Sequence, residues 1–208
     1  MLHRRPPLMR ALQLNTGVMV VEIAAGIGAS SFSLIMDGIH NLSDEVALLL
    51  LVLAYSLRTG LSGGLLRFAN LFNSVGLLFI CGFLIWRVVE RLSSPMEVSG
   101  VVPIVAGLIG AAGNWAVAKV LRGPSKEDIA IRLAYVHNLG DTLVSLIPVA
   151  AGVLIFASGN SVFDSLFALL IAAVVIVTTS QAVIGFHKEL LWPENVSCGH
   201  SGSEQSVV

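Results

Sequence analysis

Charge is what this sequence lacks. Only 12% of its 208 residues are Asp, Glu, Lys or Arg, against 55% apolar, where soluble domains average about 25% charged. A water-facing surface cannot be assembled from that inventory, so a free-standing soluble domain is excluded. Cysteine is nearly absent as well. Cys81 lies in an apolar run and Cys198 in a polar tail, and two thiols at different levels of a membrane make no disulfide framework. A net charge of −1 leaves no basic patch for nucleic acid. Met1–Arg10 is basic, but no short apolar run with a small-residue cleavage site follows. The stretch therefore reads as a cytoplasmic tail rather than a removable signal.

What is abundant is long apolar sequence. A helix needs about 20 apolar residues to cross a bilayer, and six stretches qualify: Met9–Ala29, Ser33–Leu57, Arg67–Val89, Gly100–Leu121, Asp128–Ala157 and Val162–Gly185. The links between them are short and rich in Ser, Gly, Asn and Pro. The expected fold is all-α, an integral membrane bundle of six transmembrane helices. It divides into an N-terminal tail (1–8), the membrane domain (9–192) and a short disordered cytoplasmic tail (193–208). Most basic residues, from Arg4 to Lys188, fall on one side of this arrangement and only Arg87 and Arg91 on the other. The side richer in Lys and Arg is cytoplasmic, so both termini are expected there.

Two of these stretches carry the same constellation. His40-Asn41-Leu42-Ser43-Asp44 in the second returns as His137-Asn138-Leu139-Gly140-Asp141 in the fifth. Residues four apart lie on one helix face, so each copy aims an imidazole and a carboxylate the same way. The two helices run antiparallel. At about 1.5 Å per residue, both pairs fall at matching depth in a hydrocarbon core roughly 30 Å thick. Two nitrogens and two oxygens make a tetrahedral donor set suited to zinc. Ionisable groups at that depth are costly, which makes them functional candidates. The alternative is two satisfied polar pairs that merely hold helices together.

Other polar residues in the spans read less sharply. Asp37 shares the face of His40 and Asp44, nearer the expected outer mouth. It is either an ion or proton guide or an acid favoured by the helix dipole. Asn41, Ser43 and Asn138 flank the ligand candidates and either orient them or bond neighbouring helices. Glu22, deep in the first span, is a candidate for proton handling or for an interhelical hydrogen bond. Glu45 points about 100° away from the ligand face and is left out of the site. Asn15, Asn73 and Asn114 read as interhelical glue. Ser161 and Asp164 form a capping-box pattern at the last helix. Ala106, Gly107, Gly110, Ala111 and Gly113 read as a packing seam. Cys198 and His200 form at most a loose metal pair in the tail.

At these residues the chain resembles the cation diffusion facilitator family of metal/proton antiporters. The resemblance rests on Asp37-Gly38-Ile39-His40-Asn41-Leu42-Ser43-Asp44, on His137-Asn138-Leu139-Gly140-Asp141, on Leu66-Arg67 through Asn73, on Glu90-Arg91-Leu92 and on the stretch around Asp164. It extends over about Met9 to Pro193. It implies that His40, Asp44, His137 and Asp141 bind the transported ion, Zn²⁺ and also Cd²⁺, with no cofactor. It implies a homodimer that exports metal from the cytoplasm in exchange for protons by alternating access; by their positions in the spans, Asp37, Asn41 and Glu22 are candidates for a proton or ion path. A bacterial inner membrane is the expected location. Most relatives carry a cytoplasmic metal-binding domain after the sixth helix, where this sequence has a short tail, so a dimer is expected to be held by membrane helices. A membrane-embedded zinc hydrolase is the rival reading. It needs three protein ligands, an open position and a general base, and no His-Glu-x-x-His motif is present. A metal-free proton channel or packing protein is the third.

Overall fold

The computed structural model describes residues 5–56, 63–94 and 96–185. The expected tail residues Cys198 and His200 lie outside them. All long elements are α-helices: α1 Arg5–Gly28, α2 Phe32–Ser56, α3 Gly63–Ser93, α4 Val101–Leu121, α5 Ile129–Val144, α6 Leu146–Ser158 and α7 Val162–Gly185. A 3-10 turn at Pro124–Lys126 leads into α5. Six described stretches are long and apolar enough to cross a membrane, and α5 with α6 forms one of them. The six expected spans are therefore present, with α1 beginning at Arg5 rather than Met9. Pro6 and Pro7 sit in its first turn, where a missing N–H leaves nothing unsatisfied.

The fifth span is broken at Ser145, whose N–H returns to Asp141 O and Leu143 O. The signal is Pro148, three residues on, which has no N–H to offer the preceding turn. α5 carries His137 and Asp141, whereas α6 is pinned to α4 by glycine. A Cβ on Gly152 would meet Gly100 O at 2.5 Å, and one on Gly107 would meet Val149 at 2.8 Å. The small residues of α4 thus form the expected packing seam, touching α6 through Gly107 and α1 through Gly110 and Gly113.

α1 packs along α2 and α4, and α4 continues onto α5 and α6; α3 and α7 pair with each other and lean on α2. Two apolar clusters close the two ends. One joins α1, α2, α4 and α5 around Leu8, Leu51, Tyr55 and Ile131. The other joins α2, α3 and α7 around Met36, Cys81, Ile171 and Val175. Each end is also tied by an acid. Asp128 caps α5, accepting from Ala130 N and Ile131 N at 2.9 and 3.3 Å, and also accepts from Tyr55 Oη of α2.

At the opposite end the expected capping box does not form. Asp164 turns away from its own helix and accepts from Ser31 Oγ, Ser33 Oγ and Phe32 N, each at 2.6 Å, and from Ser33 N at 3.2 Å. It caps α2 instead of α7, because those N–H groups have no other acceptor. Arg91, one of the two basic residues on the less basic side, is buried 3.7 Å from Asp164. It donates to Ser30 O and to Met96 O and covers the Phe32 ring at 4.9 Å. Ser30 is the one described non-glycine residue with positive φ, 53°, so Arg91 clamps the turn between α1 and α2.

Candidate metal centre

α2 and α5 bring the two His-x-x-x-Asp pairs together between the apolar clusters. One ligand atom from each of His40, Asp44, His137 and Asp141 lies within 4.8 Å of the other three. The pairing is crossed. His40 Nε2 donates to Asp141 Oδ1 at 3.0 Å, and His137 Nε2 donates to Asp44 Oδ1 at 2.7 Å. Each histidine thus bonds the acid of the other helix. Its own helix's acid lies farther off, Asp44 Oδ2 at 3.8 Å from His40 and Asp141 Oδ2 at 3.7 Å from His137. The two rings meet edge to face with centroids 5.7 Å apart.

Those two Oδ2 atoms have no hydrogen-bond partner, although both acids are buried. Orphaned carboxylate oxygens in a dry interior are expensive; a cation between the four groups satisfies them. The dimensions suit zinc. Ligand bonds of about 2.0–2.1 Å in a tetrahedron put donors roughly 3.3–3.5 Å apart, and the four contacts, at 2.7–3.8 Å, bracket that spacing. His40, Asp44 and Asp141 are buried, while the His137 side chain is 49% exposed. The quartet is closed on the α2 side and reached past His137.

The flanking residues divide between the readings their positions left open. Asp37 is fully buried in the second turn of α2, nearer the start of that helix than His40, and faces Glu22 of α1. Asn41 does not orient the quartet. Its Nδ2 donates to Glu22 Oε2 at 2.6 Å and its backbone carbonyl accepts from Asn15 Nδ2 at 3.0 Å. Asn138 bonds back to Ala134 O within α5, and Ser43 accepts from Asn73 Nδ2 at 2.8 Å. Asn15, Asn73 and Asn114 all bond across helices, the last to Ser145 Oγ at 3.1 Å. Glu45 points away from the quartet and accepts from Asn15 Nδ2 and Thr16 Oγ1. Ser145, unremarked in the sequence, is the polar member that spacing alone does not reveal; Pro148 was its only signal.

Residues 8–190 match the family model described as the cation efflux transmembrane domain. The chain is 31% identical to the cadmium, cobalt and zinc/H⁺-K⁺ antiporter of Bacillus velezensis, over 81% of this chain and 57% of that protein. It is 29% identical to zinc transporter ZitB of Escherichia coli, over 81% and 57%. It is 26% identical to the metal cation efflux system protein CzcD of Cupriavidus metallidurans, over 77% and 54%. The chain thus spans a little over half the length of these relatives.

Proposed function

Because the chain belongs to the cation efflux family, whose members are transporters rather than enzymes, we propose that it carries Zn²⁺, and Cd²⁺ with it, out of the cytoplasm in exchange for protons. The single observation that carries this reading is the crossed quartet of His40, Asp44, His137 and Asp141 with its two orphaned carboxylate oxygens. These four residues are the metal ligands. Loading requires neutral imidazoles and ionised carboxylates, and the metal takes the place of the two N–H donors that now hold the acids. Protons arriving from the other side compete for the same four groups and release the ion. Coupling is competition at one site.

Both termini lie on the cytoplasmic side, as the placement of basic residues supports, and the membrane is a bacterial inner one. On this reading the half-exposed His137 is the ligand that first meets an ion arriving from the cytoplasm. Two copies associate through membrane helices. The exposed Phe79, Phe83 and Trp86 of α3 give such a pairing an aromatic face.

The test is Zn²⁺ flux into liposomes with an imposed pH gradient, wild type beside Asp44→Ala and His137→Ala. Gradient-driven flux in the wild type, lost in both variants, is the expected result. Zinc binding without flux removes the transport reading, and folded protein that neither binds nor moves zinc removes the metal site as well.

A further inference from the structure

A second polar centre lies beside the quartet and shares no residue with it. Glu22 of α1 and Asp37 of α2 are both 0% exposed. Their carboxyls face each other. Glu22 Oε2 is held by Asn41 Nδ2, but Glu22 Oε1 and both Asp37 oxygens have no hydrogen-bond partner; Ser145 faces Asp37 without closing a hydrogen bond to it. No Lys, Arg or His among the described residues makes an ion pair with either acid. Every orphaned atom here is therefore an acceptor, and the missing component is a donor.

The site is built around that carboxyl. A Cβ on Gly110 of α4 would lie 1.9 Å from Glu22 Oε1, so only glycine leaves the carboxyl its place. Two bare carboxylates facing each other in a dry interior cannot both stay ionised. One proton removes a buried charge and supplies the donor that Asp37 lacks. The groups that bear on Glu22 are Asp37 and Asn41, with Asp44 farther off, all on α2. Those that bear on Asp37 are Glu22 from α1, His40 on its own helix, Asp141 from α5 and Ser145 at the α5–α6 break. α4 contributes only the uncharged Gly110.

We propose that Glu22 is a second proton-binding group, distinct from the four metal ligands, protonated in the structure described and donating its hydrogen bond to Asp37. Its part in transport rests on the reading above: a proton held here crosses in addition to those that compete with zinc. On release the O–H bond of Glu22 breaks, the proton passes to water on the side then open, and the carboxylate stays behind until a proton from the opposite side replaces it.

Infrared spectroscopy of the full chain in lipid nanodiscs, titrated around neutral pH, tests the proton itself. The wild type is expected to show the carbonyl stretch of a protonated carboxyl at pH 7, where exposed carboxyls are ionised. That band is lost in Glu22→Gln and shifts in frequency in Asp37→Asn. A wild type without the band, or a band unchanged in Glu22→Gln, overturns the proposal whether or not the chain moves zinc. Should Glu22→Gln fail to fold, Gly110→Ala replaces it: its methyl group displaces Oε1 and must shift the same band, and no shift overturns the proposal. In liposomes Glu22→Gln is expected to bind Zn²⁺ with unchanged affinity while the protons moved per zinc fall by about one. An unchanged ratio, or folded Glu22→Gln that no longer binds Zn²⁺, overturns the proposal. A wild type that moves no zinc strikes the transport reading instead and leaves the infrared result to stand or fall alone.

Discussion

Asp164→Ala removes one side chain from α7 and should loosen three helices. Asp164 accepts four hydrogen bonds, two from the first N–H groups of α2 and two from Ser31 and Ser33 hydroxyls. It also stands 3.7 Å from the buried Arg91. Loss of an N-cap costs about 1–2 kcal/mol. The hydroxyls cost little, because Ser31 and Ser33 already lie 3.2 Å apart and can bond each other. Stripping a buried cation of its counter-charge costs about 3–5 kcal/mol. Arg91 keeps the carbonyls of Ser30 and Met96, so the lower end applies. The sum is about 4 kcal/mol, or roughly 10 °C in Tm at about 2–4 °C per kcal/mol for a chain of this size. Cys81 offers the assay. It is 0% exposed, so in a Cys198→Ser background its labelling by a thiol-reactive fluorophore reports unfolding of the membrane domain on heating. Asp164→Asn, which keeps an acceptor but loses the charge, should fall between. Adding Arg91→Met to Asp164→Ala should restore part of the loss, since the stranded cation goes with it. A loss below about 1 kcal/mol for Asp164→Ala, or strict additivity in the double variant, refutes the clamp.

The quartet predicts an asymmetry between its histidines. His40→Ala and His137→Ala should each weaken Zn²⁺ binding at least on the order of 100-fold, measured by competition with a zinc dye. His40→Ala should also destabilise the metal-free protein by about 2 kcal/mol or more, because it strands Asp141 beside a buried position; His137→Ala strands the equally buried Asp44 but should cost less, because water can replace a ring that is half exposed. Equal stability losses would contradict the burial pattern. Zinc affinity should fall steadily as pH is lowered, since protonated imidazole and carboxyl groups cannot ligate. Titrations at several pH values check this, and a flat profile would remove the ligands assigned. Gly152→Ala should cost about 1–3 kcal/mol, because its methyl meets Gly100 O at 2.5 Å. Gly140→Ala, with open space around it, should be neutral or stabilising by up to about 1 kcal/mol. Thermal unfolding of the pair settles which contact is real.

The spans were legible because a bilayer demands length and hydrophobicity, and both are written along the chain. Their ends fell within a few residues of the observed helices. The quartet was legible because a four-residue spacing fixes a shared face whatever the neighbours do. Spacing does not choose partners across helices, so the crossed bonding of His40 with Asp141 and His137 with Asp44 could not be read. The same blindness explains Asp164, where a local capping pattern lost to four donors at the start of α2. It also explains Asp37, whose place on the ligand face could be read but whose neighbour on another helix, Glu22, could not. The break at Ser145 was foreshadowed by Pro148 alone.

The crossed hydrogen bonds compete with any cation that the quartet takes up. A cation that enters must first undo two charge-assisted contacts, each worth about 1.5–3 kcal/mol. Together that is roughly two to four powers of ten in dissociation constant. A storage protein would count this as wasted grip. On the transport reading proposed above it is the reverse: a berth that re-knots itself once vacated helps push its passenger ashore, and the vessel can return without carrying bare charge through oil.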